Sequence, residues 1–484
     1  MIGLVELSRT LGADVVWPSG PSRQDPSPAG SITVRDVEHD SRRVGPGSLF
    51  ACVPGEAHDG HLFAGDAVSA GAVGLLAERP VPADVPCLVV ESVRAALGPA
   101  AAAVHGHPSR RLDVAGVTGT NGKTTTVHLL AGLLRATGAG AAEIGTLTGT
   151  LTTPEATDLQ RLLASAVRRG EGTAAVEVSS HGLVQHRVDG CRFRVAAFTN
   201  LGHDHLDYHG SMEDYFAAKA RLFTGELADR AVVDTTTGWG RRLAGMAASE
   251  MPVTEVDQRQ IEVIEADTRS STFCWRGQQV TLRLAGAFNR ANAVLAAEVA
   301  TALGMEPAAA AAGLAAATPV PGRFESVQAG QDFAVIVDYA HTPDALAAAL
   351  RVARSLTGGK LTVVFGAGGE RDRGKRPEMG AAAARLADRV IVTSDNPRSE
   401  DPEQIISEIV EGMSRAPERR EPDRRLALRH ALSTAAAGDT VLVAGKGHET
   451  SQTIGSERLP FDDRAVVSEE IERLASGGRI GAAR

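Results

Sequence analysis

Cysteine is scarce in this chain: there are four, Cys52, Cys87, Cys191 and Cys274, with no CxxC pair and no short spacing. They read as buried or reduced thiols of a cytosolic protein rather than as a disulfide framework. Positive charge is in deficit, with a formal net charge of -9, which argues against non-specific binding to nucleic acid or anionic membranes and leaves only local basic pockets. No apolar run approaches the roughly 20 residues of a membrane span. The opening stretch, MIGLVELSRTLGADVV, has acidic side chains and no basic cluster, so no secretory signal is expected. Aromatics are few, at 4%, and there is no internal repeat of the kind that marks a solenoid. The expectation is a soluble, cytoplasmic monomer with no membrane span and no nucleic-acid partner.

What is present is a globular composition, 43% hydrophobic and 23% charged over 484 residues. That length is too great for one core, and about two to four domains are expected. The stretch the chain is organised around is VAGVTGTNGKTTT, residues 114–126. Val114 to Val117 reads as a buried strand, and Thr118-Gly119-Thr120-Asn121-Gly122 as a turn whose small residues let backbone N–H groups face an anion. Lys123 supplies a point charge for phosphates, Thr124 a hydroxyl for Mg²⁺, and the following helix its N-terminal dipole. Val117 occupies the place where the usual phosphate-loop pattern has its first glycine, so the loop is a variant. Plain strand-to-helix connectors are also glycine-rich, but Gly-Lys-Thr in this setting favours phosphate binding.

Three segments are expected, residues 1–108, 109–325 and 326–484, each of α/β type. In the first, a proline-rich loop covers residues 17–31. The clusters His39 to Arg43 and Gly55 to Gly60 suit a polar ligand or are solvated turns. The second alternates strands with helices, the pattern of a mainly parallel sheet, whose ligands gather at the carboxyl ends of strands. Three polar clusters qualify there: Thr152-Thr153-Pro154, Glu177 to Arg187, and Thr199 to Gly210.

His203, Asp204, His205, Asp207 and His209 could hold a divalent cation or orient phosphates. Zinc competes, but the spacing fits no helical His pair and no Cys joins in, so Mg²⁺ is preferred; helix caps in a polar loop are the bland alternative. Glu177 ends an apolar strand, where a metal, an ion pair or a cap would satisfy it. Lys219 lies among apolar residues on a helix over 211–223, either desolvated and reactive or with a snorkelling head. Gly286, Asn289 and Asn292 open an Ala-rich helix, as caps or as readers of a base edge. Residues 318–323 form a hinge. In the third segment, four strand-end loops carry Asp338 to Pro343, Gly368 to Pro377, Asp395 to Arg398 and Gly445 to Glu449. Arg371, Lys375, Arg376 and Arg398 can pair with carboxylates or phosphates, and Asn396 and Glu449 with an ammonium, a set suited to a zwitterionic amino acid.

From His39 to Glu449 these motifs, TGTNGKTTT, EVSSHGL, DHLDYHG, YFAAKARLF and DNPR in that order, resemble the Mur ligase family. The resemblance implies three domains: a small N-terminal α/β domain for a UDP-linked substrate, a central P-loop ATPase-like domain with a mainly parallel sheet, and a C-terminal Rossmann-like α/β domain for an amino acid. It implies an ATP-dependent amide ligase that joins diaminopimelate to UDP-N-acetylmuramoyl-L-alanyl-D-glutamate through an acyl phosphate. Gly119, Thr120, Asn121, Gly122, Lys123, Thr124 and Thr125 would hold the ATP phosphates, with Asn292, Arg323 and Asp338 on adenine and ribose. Thr124, Glu177, His205 and a carbamylated Lys219 would serve Mg²⁺, and Lys123, Lys219, Glu177 and His205 would be the catalytic set.

Ser41, Ala57 and His58 would contact the uridine part of the nucleotide substrate. Thr152, Thr153, Ser179, Gln185 and Arg187 would line the muramoyl-dipeptide groove. Arg371, Asp395, Asn396, Arg398, Gly445 and Glu449 would bind diaminopimelate, and within the family the DNPR form goes with that amino acid. Two departures stand out: Gly145 to Leu151 is shorter than is common, and His203 replaces a different polar residue. A P-loop ATPase driving movement explains the first motif but not the four third-segment loops. A folylpolyglutamate-type ligase or a secondary-pathway paralogue would share the architecture but not DNPR or the N-terminal HDSR.

Overall fold

The computed structural model describes residues 1–18, 32–55, 58–138, 140–267 and 270–476. Most of the proline-rich loop over 17–31 lies outside them. The chain divides into two compact units, one of residues 1–201, 205–258 and 295–306, the other of residues 202–204, 259–294 and 307 onward.

Besides a two-stranded antiparallel pair, Ile2–Gly3 with Thr33–Val34, the first unit carries two larger sheets among the described residues. Strands β1 (Asp14–Val16), β2 (Asp36–Glu38), β3 (Ser48–Ala51), β4 (Ala72–Ala77) and β5 (Cys87–Val89) are ordered β1-β5-β4-β3-β2, antiparallel only between β1 and β5. Helix α1 (Val93–Val104), capped by the Ser92 hydroxyl, covers one face. The larger sheet has six parallel strands: β6 (Asp113–Thr118), β7 (Ala141–Ile144), β8 (Thr173–Glu177), β9 (Val195–Phe198), β10 (Ala231–Asp234) and β11 (Val253–Val256), ordered β11-β10-β9-β6-β8-β7. Helices cover both faces, so β6, β8 and β9 are apolar runs without alternation, as a parallel sheet requires. Strand order reverses at β6, flanked by β8 and β9, and the crevice beyond their carboxyl ends is where such sheets bind ligands.

Helix α2 (Lys123–Ala136) follows β6, and α3 (Ala156–Arg168) precedes β8. Arg161 of α3 grips the smaller sheet: its guanidinium donates to Asp36, to the Val37 carbonyl and to Glu38, at 2.6 to 3.1 Å. A planar fork with several donors suits this edge better than a single ammonium.

In the second unit, residues 262–282 form a three-stranded antiparallel meander of β12 (Glu262–Ala266), β13 (Ser271–Trp275) and β14 (Gln278–Leu282). Continued strand-helix alternation had been expected through this segment. The cause is local: Arg276 and Gly277 both have positive φ, 45° and 74°, the two-residue hairpin turn that joins antiparallel neighbours.

The other large sheet is ordered β15-β16-β20-β17-β18-β19, from β15 (Glu325–Ser326), β16 (Ala334–Asp338), β17 (Leu361–Phe365), β18 (Arg389–Thr393), β19 (Arg419–Glu421) and β20 (Thr440–Ala444). Only the β15-β16 pair is antiparallel. The last strand, β20, inserts between β16 and β17, so the loops after β16, β17, β18 and β20 open on one edge. A hairpin, β21 (Ser451–Ile454) with β22 (Glu457–Pro460), follows β20. Within the expected hinge, Gly322 has φ +61° and packs closely: a Cβ there would fall 2.0 Å from the backbone carbon of Gly447.

Candidate active site

The phosphate loop is built by backbone. β6 ends in Thr118, and Gly119 has φ +149°, where a Cβ would lie 1.9 Å from Thr199 Oγ1, so no side chain fits. The end of β9 braces the loop from beside it. Thr199 Oγ1 and Asn200 Nδ2 donate to the Asn121 carbonyl at 2.6 and 3.1 Å, and the Asn121 and Thr120 N–H groups donate to Asn200 at 3.0 and 2.9 Å. Helix α2 then starts at Lys123 itself, with its N-terminus at the loop. Lys123 Nζ donates to the carbonyls of Gly119 and Thr120, both at 2.8 Å, folded back over the turn.

Glu177, at the end of β8, is 1% exposed. It accepts from Thr124 Oγ1 at 2.9 Å, from the Thr146 N–H at 2.8 Å and from Thr146 Oγ1 at 3.3 Å. A hydroxyl and a buried carboxylate side by side are hard oxygen donors. Mg²⁺ commonly takes one or two protein ligands and completes its shell with water and phosphate oxygen, so this pair fits it. Among the described residues no group of three or more His, Cys, Asp or Glu side chains is arranged for a metal.

Lys219, on helix α4 (Met212–Ala220), is 1% exposed, and its Nζ donates to the same Gly119 carbonyl at 2.8 Å. It also stands 4.5 Å over the ring of Tyr215, whose hydroxyl shares a 3.2 Å hydrogen bond with Thr120. The Lys219 head group is buried and does not snorkel to solvent. His205 packs edge-on against His181 at 4.8 Å and against Tyr215 at 6.3 Å. Thr125 is buried at the start of α2.

Thr152, Thr153, Ser179, Gln185 and Arg187 form one patch. Thr152 and Thr146 hydroxyls meet at 3.2 Å; Thr153 Oγ1 donates to the Glu177 carbonyl and accepts from the Ser179 N–H. Arg187 donates to the Thr153 carbonyl and to Gln185 Oε1, and pairs with Glu155 at 2.9 Å. Burial pulls its guanidinium pKa down despite Glu155. Ser41 opens a single turn capped by Asp40, next to Arg43, which pairs with Asp158 of α3. His58 sits edge-on to Phe63, and Ala57 lies outside the described residues.

In the second unit, Asp338 ends β16 and accepts from the Phe324 and Ala340 N–H groups at 2.8 and 2.9 Å. Burial pushes its carboxyl up; Arg323 and the backbone donors pull the other way. Arg323 lies 4.5 Å over the Tyr339 ring, which also meets His341 and His448. Burial, then Arg323, lowers the His448 pKa to about 4. Asn292 is buried on helix α5 (Ala287–Ala302), while Asn289 Nδ2, inside the same helix, donates to the Ala285 carbonyl.

At the other strand ends, Asn396 donates to Asp395 at 3.0 Å and to Glu449 at 2.8 Å. Gly445 has φ +114°, and a Cβ there would fall 2.4 Å from Asp395 Oδ2. Arg398, in a left-handed conformation, donates to the Gly369 carbonyl, and Arg371 is exposed. Arg376 departs from its expected place among ligand-facing basic groups. It is fully buried, spent on Glu400, Glu408 and the Gly368 carbonyl.

Sequence reasoning assigned no role to Thr146, Asn200, Tyr215 or Lys446. Asn200 and Lys446 fall within the polar clusters Thr199 to Gly210 and Gly445 to Glu449, and Tyr215 stands one helical turn before Lys219.

Three family models match in succession: residues 33–106 to the Mur ligase family, catalytic domain; residues 117–300 to the Mur ligase middle domain; and residues 322–447 to the Mur ligase, glutamate ligase domain. The chain is 44% identical over 477 residues to the UDP-N-acetylmuramoyl-L-alanyl-D-glutamate--2,6-diaminopimelate ligase of Streptomyces coelicolor, covering 92% of this chain and 94% of that one. It is 43% identical over 471 residues to the protein of that name in Geobacillus kaustophilus, covering 92% and 96%. Among solved structures, one of a UDP-N-acetylmuramoyl-L-alanyl-D-glutamate--2,6-diaminopimelate ligase superposes with TM-score 0.67 at 32% identity, covering 93% and 97%. A MurF ligase from Thermotoga maritima in complex with ADP shares the fold, with TM-score 0.64 at 21% identity over 93% and 99% of the two chains.

Proposed function

The chain belongs to the Mur ligase family, and on that premise we propose that it joins diaminopimelate to the D-glutamyl carboxylate of UDP-N-acetylmuramoyl-L-alanyl-D-glutamate, at the expense of ATP. As a member of this family it is an ATP-dependent ligase of amino acids. The observation that carries the reading is the convergence of Lys123 and Lys219 on one carbonyl, that of Gly119, beside the Thr124–Glu177 pair.

The γ-phosphate is bound by the N–H groups from Gly122 to Thr124 at the start of α2 and by Lys123, whose ammonium exchanges two loop carbonyls for phosphate oxygens. Thr124 and Glu177 would hold Mg²⁺, with His205 and a carbamylated Lys219 serving a second ion; bound there, the metal offsets charge on the transferring phosphoryl group. The D-glutamyl carboxylate attacks that phosphorus, the bond to the bridging oxygen breaks and ADP leaves, giving an acyl phosphate, with Lys123 stabilising the charge that develops. The amine of diaminopimelate then attacks the acyl carbon and phosphate departs.

Asn292, Arg323 and Asp338 take adenine and ribose. Ser41, Ala57 and His58 take the uridine end, and Thr152, Thr153, Ser179, Gln185 and Arg187 the muramoyl dipeptide. Asp395 and Glu449 face an ammonium, Arg371 and Arg398 clamp a carboxylate, and Asn396 and Gly445 shape that pocket. The domain limits follow these tasks, at 1–108, 109–325 and 326–484. The enzyme acts in the cytoplasm as a monomer, where its nucleotide substrates are.

The test is ADP release with the muramoyl dipeptide nucleotide and, in parallel, meso-diaminopimelate, LL-diaminopimelate or lysine. A stimulated rate with one diaminopimelate isomer and little with lysine is expected. Stimulation by lysine alone, or by none, overturns the substrate.

A further inference from the structure

Asn396 is read above as part of the amino-acid pocket, yet its amide has no hydrogen-bonding capacity left. An amide offers two N–H donors and two acceptor positions. Its Nδ2 donates to Asp395 Oδ1 at 3.0 Å and Glu449 Oε2 at 2.8 Å; its Oδ1 accepts from the Thr453 N–H at 3.0 Å and from Lys446 Nζ at 3.3 Å. Lys446 completes the arrangement. It is fully buried, and its ammonium also donates to Glu449 Oε2 at 3.1 Å and to the Ser451 carbonyl at 2.6 Å. Its three protons therefore have three acceptors. Both inward bonds to Glu449 fall on one oxygen, Oε2, while 32% of that side chain stays open to solvent.

The hairpin β21–β22 locks the same assembly from outside. Gln452 donates to the Asp395 carbonyl at 2.7 Å, the Arg398 N–H donates to Thr453, and the Gly455 N–H to Arg398 at 2.6 Å.

We infer that Lys446 is a positioning and specificity residue for the amino acid: it turns the Glu449 carboxylate and the Asn396 amide, and its buried charge offsets that of Glu449. A pocket with Asp395 and Glu449 alone would attract any amino acid with a cationic side chain. With Lys446 balancing one carboxylate, and Arg371 and Arg398 beside them, the fixed charge suits a side chain that carries both an ammonium and a carboxylate. Lysine, which lacks the second carboxylate, is disfavoured. This rests on diaminopimelate being the amino acid joined.

The experiment compares wild type, Lys446→Met and Lys446→Gln in the full chain, with KM measured separately for diaminopimelate, ATP and the muramoyl dipeptide nucleotide. The expected result is a KM for diaminopimelate raised about tenfold or more in Lys446→Met, with the other two KM values unchanged, and a smaller rise in Lys446→Gln. Placed on a Glu449→Gln background, Lys446→Met should add less than about twofold, because its main partner is already altered. Equal changes in all three KM values, an unchanged KM for diaminopimelate, or unfolding of both variants by circular dichroism would each overturn the inference. A wild type that ligates no diaminopimelate isomer defeats the substrate assignment instead, and the same split in KM is then measured with the amino acid it does ligate.

Discussion

The two ligand-bearing sheet edges of this protein are built on one plan and filled by opposite means. At the edge of the sheet β6 to β11, the functional groups from Gly119 to Thr124 are contiguous, and backbone geometry does the recognising. At the edge of the sheet β15 to β20, groups come from loops more than a hundred residues apart, Asp338 to Glu449, and side chains do it. A phosphate is a compact, highly charged group that a row of N–H groups and a helix dipole satisfies whatever the neighbouring side chains are. An amino acid with charges at both ends needs several side chains of chosen sign at fixed distances. The second edge is accordingly more heavily wired internally: Lys446, Asn396, Arg376 and Arg424 are all buried and hydrogen-bonded.

That contrast fixes an order of sensitivity. Lys123→Ala should cost most, about 10³-fold or more in kcat, because it removes the cation that the phosphate loop itself carries. Circular dichroism and thermal melting should show the fold unchanged, and undiminished amide formation would defeat the assignment of the first edge. Lys219→Ala should lose about 10²-fold, with partial recovery on adding formate or acetate. Full activity without additive would remove the carbamate role and leave Lys219 as a packing residue under Tyr215.

At the second edge the loss should be selective. Arg398→Lys replaces a planar fork by a point charge, and the KM for diaminopimelate should rise about tenfold while that for ATP stays put. Equal effects on both would mean that the two edges are not separable.

The smallest effect concerns pH. Burial holds the His448 pKa near 4 in the folded chain, against about 6.5 when unfolded. Between those values the unfolded chain binds the extra proton, so this contribution to stability is complete above about pH 6.5 and declines as pH falls toward 4. Replacing His448 by Asn should flatten the acid limb of urea-unfolding stability by about 1–3 kcal/mol. An unchanged pH slope would show that His448 is more solvated than its contacts imply.

What was legible in the chain follows the same division. Apolar runs announced β6, β8, β16, β17 and β20, and Gly-Lys-Thr announced the phosphate loop with α2 behind it. Ser211 opens the stretch expected as helix over 211–223 and caps α4, accepting from the Asp214 N–H. The meander over 262–282 is hard to read from the chain because its strands are short and the Arg276-Gly277 turn lacks the Asn or Asp that marks a two-residue hairpin. Arg376 was misplaced because a run of Arg and Lys in a loop says nothing of which member turns inward, and Glu400 and Glu408, its partners, lie 24 and 32 residues away.

The sequence by itself determined the groups that act through neighbours along the chain: the phosphate loop, the helix it caps, and the alternation that makes parallel sheets. Only the tertiary structure decided that Thr124 meets Glu177 across 53 residues, that Lys123 and Lys219 share the Gly119 carbonyl, and that Asn396 meets Lys446 and Glu449 across 50 and 53. The physical reason is strand order. Local propensity and pattern specify that a strand forms, but which strands lie side by side depends on the packing of whole helices against the sheet. In both sheets it is the central strand, β6 in one and β20 in the other, that brings distant loops to a common edge.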